Sequence, residues 1–187
     1  MKERKYKDDY KNELRLDPVT GKEKVVPVYH GSYYETPVVD VIRRQGPYAM
    51  LSGALFLALM LVYYIVDFPG TRVLYVFIPS AFCLFPIFYW IIGGHACWRT
   101  PDRMTRLQKE NGAGRVLRSS AGCAIFMAIT LICELIFLIF GHAPAREWIG
   151  LLIFAAAGAD AFLTARAFRD LYNSIQEVPK GRDLRFG

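Results

Sequence analysis

Charge is almost missing from four stretches of this 187-residue chain, about 48–66, 73–94, 120–140 and 148–165. Each is long enough to cross the ~30 Å hydrocarbon core of a bilayer, which takes about 20 apolar residues at ~1.5 Å apiece. That scarcity excludes an ordinary water-soluble domain over 47–165. The polar segments left over are too short for a basic soluble domain, so no nucleic-acid partner is expected despite the net charge of +6. Cysteine is limited to Cys83, Cys97, Cys123 and Cys133, with no CxxC pair and none in a turn facing out, so no disulfide framework is expected. Histidine occurs three times. His95, Cys97 and Cys123 fall near one membrane edge, but their spacing matches no established zinc pattern, and no metal is assigned. There is no phosphate-binding glycine loop, GxSxG elbow or HExxH pair, so neither an enzyme nor a cofactor is predicted. The first apolar run begins at Pro47, too deep for a cleavable signal, and reads as an uncleaved anchor.

What the chain does have is arginine and lysine in the right places. The bridge WRTPDRMTRLQKENGAGRVLR at 98–118, within a polar segment 95–119, carries six basic residues against Asp102 and Glu110. The tails 1–46 and 166–187 hold fifteen more, so tails and bridge together hold 21 of the 23. Basic segments stay on the cytoplasmic side. The expected fold is therefore an all-α, antiparallel four-span bundle with both termini cytosolic, in a bacterial cytoplasmic membrane. The lipid bilayer is one partner, and a protein partner or a second copy of the chain is another.

Smaller signals fill in the plan. LRLDPVTGKEKVVPVY at 14–29 has hairpin chemistry: Asp17, Pro18 and Gly21 suit a turn, and Pro27 confines its strand to an edge. A loosely ordered tail is the plainer alternative. Thr36-Pro37 suits the start of a short helix, and Gly46-Pro47 predicts a break before span one. In span two, Pro79 and Pro86 each free a carbonyl four residues back, Tyr75 and Phe82, predicting a kinked helix. In the bridge, Thr100 and Pro101 suit a helix start and Asn111-Gly112 its end. Arg99, Arg103, Arg106 and Lys109 beside Met104 and Leu107 suit a helix lying on anionic lipid.

Two carboxylates lie within spans, Glu134 and Asp160. A mid-span carboxyl costs ~3 kcal/mol on insertion scales, so each should face the protein interior. They lie at different depths, offset by roughly 9 Å at 1.5 Å per residue, too far for direct pairing. Thr130 and Thr164 share their helix faces, and Arg166 is placed to neutralise part of the Asp160 charge from the interface. Such residues mark a proton or cation site, or they hydrogen-bond one helix to another. Two functions follow. One is a non-enzymatic accessory or scaffold protein acting through its cytosolic tail. The other is a small oligomeric transporter or channel component using Glu134 and Asp160.

Overall fold

The computed structural model describes residues 9–16, 23–31, 33–35, 39–101, 103–141 and 144–177. The apolar stretches are helices, which satisfy their own backbone N–H and C=O groups without water. The helices are α1 (Val39–Ile65), α2 (Leu74–Phe82), α3 (Leu84–Trp98), α4 (Arg106–Asn111), α5 (Ala113–Phe140) and α6 (Glu147–Ser174). Four helical stretches, Asp40–Ile65, Leu74–Trp98, Arg106–Phe140 and Glu147–Ser174, are long and apolar enough to cross a membrane. They close a ring in which α1 packs on α3 and α6, and α5 packs on α2, α3 and α6. Phe56, Met60, Ile87, Trp90, Met127 and Phe154 fill its centre. Only 22% to 33% of the most apolar window of each stretch is buried, so most apolar side chains point outward, Ile65, Phe85 and Phe140 among them.

Short strands gather the polar segments. Strand β1 (Tyr10–Leu16) pairs antiparallel with β2 (Glu23–Tyr29), with Asn12 opposite Pro27. The hairpin therefore begins four residues earlier than the sequence suggested; its predicted turn at Asp17-Pro18-Gly21 lies outside the described residues, as does Thr36-Pro37. Strand β3 (Tyr33–Glu35) is the middle of a second sheet, flanked by β4 (Met104–Thr105) and β5 (Gln176–Glu177). One strand comes from the N-terminal segment, one from the bridge and one from the C-terminal segment. This is the sheet end of the bundle. At the opposite turn end, a single 3-10 turn (Pro69–Arg72) joins α1 to α2.

Three local expectations are corrected. Helix α1 runs through Gly46-Pro47 without a break. Gly46 is where α1 crosses α3: a Cβ on it would lie 2.8 Å from both the Gly94 carbonyl oxygen and Trp98 Cα. Packing at that crossing holds the helix where local chemistry would end it, and proline is tolerated inside helices so supported. Span two, expected as one kinked helix, is divided at Cys83 between its two prolines. Pro79 lies inside α2, but Pro86 is the third residue of α3, where a helix has no intrahelical partner for an N–H. The bridge helix starts at Arg106, not after Thr100. Thr105 is its cap, accepting from the Gln108 N–H while the Gln108 side chain accepts from the Thr105 N–H. Thr100 instead donates its hydroxyl back to the Ala96 carbonyl at the end of α3.

Candidate functional sites at the two ends of the bundle

At the turn end, two acids meet. Glu134 on α5 and Glu147, the first residue of α6, are both 0% accessible. Glu147 Oε1 accepts the Tyr63 hydroxyl at 3.2 Å and the Gly70 N–H at 3.0 Å. Glu147 Oε2 and both oxygens of Glu134 have no hydrogen-bond partner. The reason they converge is Gly70. A Cβ there would lie 2.7 Å from Glu147 Oε1 and 2.8 Å from Glu134 Oε2, so any side chain would displace the carboxylates. The two oxygens therefore lie within ~5.5 Å of each other, where ionised carboxylates repel by roughly 3 kcal/mol at an effective dielectric of ~20. Among the described residues, no Lys, Arg or His pairs with either acid. The nearby Arg72 is bound to exposed Asp67, whose carboxyl that hydrogen bond holds below its ordinary value.

Asp160 sits elsewhere. Its Oδ1 accepts the Ser52 hydroxyl of α1 at 2.7 Å, and Ser52 Oγ is 2.9 Å from Thr164 Oγ1. Asp160 Oδ2 has no partner. The three side chains open on a groove of about 390 Å³ between α1 and α6, lined also by Gln45, Tyr48 and Phe168. Thr130 takes no part; its hydroxyl donates to Phe126 of its own helix. Arg166 is exposed and, among the described residues, forms no ion pair with Asp160. Glu134 and Asp160 stay apart, as their depths implied; Asp160 binds Ser52 of α1, while Tyr63 of α1 binds Glu147 rather than Glu134. Cys123 likewise finds Cys83, not Cys97: each thiol points at the other's carbonyl, at 3.8 and 3.9 Å.

At the sheet end, Lys109 is drawn inward. Its Nζ donates to the Ile175 carbonyl at 3.3 Å and lies 5.0 Å from the Tyr34 ring centre and 4.4 Å from that of Tyr172. Tyr172 donates to Glu110, which Arg118 also grips at 2.6 Å. Met104 is buried rather than turned to lipid. Arg99, Arg103 and Arg106 remain exposed. Beyond them the β1–β2 hairpin puts Leu14, Leu16 and Val25 on one face, exposed at 68%, 70% and 57%. Its Tyr29 hydroxyl accepts the Arg106 N–H at 3.3 Å, which holds the hairpin near the bridge.

Compared with protein-family models, curated proteins and solved structures, the chain matches none. The site reading therefore rests on geometry. The residue that sequence reasoning missed is Glu147, which falls between the stretches 120–140 and 148–165 yet is a buried helical residue. One signal was available: an acid in the first turn of a helix, where the positive end of the helix dipole favours it.

Proposed function

We propose that this chain is an integral membrane adaptor without catalytic activity, anchored by its four helices in the cytoplasmic membrane with the sheet end in the cytosol. The outward apolar side chains support insertion, and the basic residues gathered in the tails and bridge support the orientation. Arg99, Arg103 and Arg106 then meet anionic headgroups, while Lys109 serves the sheet.

The single observation behind the adaptor reading is the β1–β2 hairpin. A two-stranded sheet is marginal alone in water; among the described residues no third strand joins this one, and it carries an exposed aliphatic strip of Leu14, Leu16 and Val25. Strand edges flanked by apolar pockets are how extended segments add to a sheet. The partner that fits is a cytosolic protein segment in β conformation with aliphatic side chains on one face.

A photo-crosslinking residue substituted at Leu16 should give one discrete protein adduct in intact membranes. Leu14→Asp combined with Val25→Asp should abolish that adduct without displacing the protein from the membrane. Adducts to lipid alone, or an adduct indifferent to both aspartates, would end the reading. Deletions should stop at Gly31, because β3 is structural.

A transport role through Glu134 and Asp160 is the second reading, favoured by the unpartnered oxygens of both acids. Against a continuous path, Phe56 and Met60 on α1 and Phe154 and Ala157 on α6 are buried between the two sites. Flux in proteoliposomes that falls in both Glu134→Gln and Asp160→Asn would put this reading first.

A further inference from the structure

We propose that Glu134 and Glu147, with the Tyr63 hydroxyl, bind a hard divalent cation of the calcium and magnesium class beneath the 3-10 turn. The inference is independent of the adaptor reading. Three carboxylate oxygens are buried with nothing to bond: Glu134 Oε1, Glu134 Oε2 and Glu147 Oε2. A buried charged oxygen left unsatisfied costs more than the ~1–3 kcal/mol of a neutral group, so two acids held this way need protons or a counter-charge. Two protons would remove the charge but still leave one of the three oxygens without a partner.

A single proton shared between them occupies one donor and one acceptor oxygen. The third oxygen stays open, and one buried negative charge remains. A divalent cation uses all three oxygens and leaves no net charge. The donor set is all oxygen: two carboxylates and a phenol, with no third His, Cys, Asp or Glu among the described residues close enough to join them. That selects hard cations over zinc or copper. Tyr63 Oη, 3.2 Å from Glu147 Oε1, is positioned as a further neutral oxygen. Water completes the shell, since calcium takes 6–8 oxygens and magnesium keeps several of its own.

Access follows from the position of Glu147. It opens α6 directly after exposed Pro144, Ala145 and Arg146, so the site lies one residue inside the turn end. A bound cation would fasten four pieces of chain together: α1 through Tyr63, α5 through Glu134, α6 through Glu147, and the 3-10 turn through the Gly70 N–H that orients Glu147.

The test uses the full chain in mild detergent, stripped with a chelator and then titrated with Ca²⁺, Mg²⁺ or Mn²⁺ at constant ionic strength. At least one of these should raise Tm saturably, by about 5–10 °C at a hundred-fold excess over Kd. Glu134→Gln and Glu147→Gln should each remove the rise. Mn²⁺ should also lose its free-ion electron paramagnetic resonance signal at one ion per chain, a readout on the wild type that decides the matter even if the variants do not fold. Three outcomes overturn the proposal: no shift and no bound Mn²⁺, a shift equal in the glutamine variants, or stabilisation by lowered pH alone with no metal bound, which would make the pair a proton site.

Discussion

Ser52 has one hydroxyl proton and two neighbours that want it. Since it donates to Asp160, the 2.9 Å contact to Thr164 must run the other way, with Thr164 donating to Ser52. The result is a directed chain, Thr164 to Ser52 to Asp160, linking α6 to α1 and back. Losing each member therefore has a different cost. Ser52→Ala leaves the carboxylate with neither oxygen bonded; Thr164→Val, nearly the same shape, leaves Asp160 its one bond. Hydrogen bonds between helices in membranes average ~0.6 and reach ~1.7 kcal/mol. Ser52→Ala should cost about 1–2 kcal/mol in detergent unfolding, and Thr164→Val less than half that. Equal effects would mean that Asp160 is not held through Ser52, and would move attention to the groove it lines.

At the scale of elements, what a glycine or an acid does depends on what crosses it. Gly94 answers Gly46 across the α1–α3 contact: a Cβ on Gly94 would meet Met50 Cγ at 2.9 Å, and the Gly46 carbonyl and Met50 N–H at 3.0 Å. Gly122 on α5 has nothing within 4 Å of the same imagined atom. Gly94→Ala should therefore cost about 1–3 kcal/mol by overpacking, while Gly122→Ala should stabilise by roughly 0.5–1 kcal/mol through helix entropy alone. Thermal unfolding of the two variants side by side checks both signs; a neutral Gly94→Ala would mean the helices sit farther apart than drawn.

The same dependence explains what the sequence could reveal. Four apolar stretches read as helices because that inference needs only local composition. Asn111-Gly112 marked the end of α4 for the same reason. Gly46-Pro47 misled because its local chemistry says break while a neighbour's backbone says pack. Glu147 was hidden because its burial depends on Glu134, Tyr63 and Gly70, which lie on three other elements. The β3–β4–β5 sheet uses strands of two or three residues, too short to carry an alternating pattern.

For the whole molecule, that small sheet constrains topology independently of charge. Tyr34 pairs with Met104 on one side and Glu177 on the other, so three distant segments share one end of the bundle. If the helices cross a membrane, the chain must cross an even number of times between Glu35 and Met104 and again between Thr105 and Gln176. An arrangement with three or five spans would tear the sheet apart. Which end faces the cytosol is a separate matter; the proposed orientation rests on 21 of 23 basic residues lying in the tails and bridge. Single reporters test both at once in a background whose four native cysteines are replaced. Ala145→Cys, exposed at the turn end, should react with a membrane-impermeant maleimide in intact cells. Lys24→Cys and Arg103→Cys, exposed at the sheet end, should react only after permeabilisation. The reverse pattern would keep the even count and invert the orientation. Labelling of Lys24→Cys and Arg103→Cys on opposite sides would break the β3–β4 pairing itself, because Tyr33 and Thr105 cannot hydrogen-bond across a bilayer.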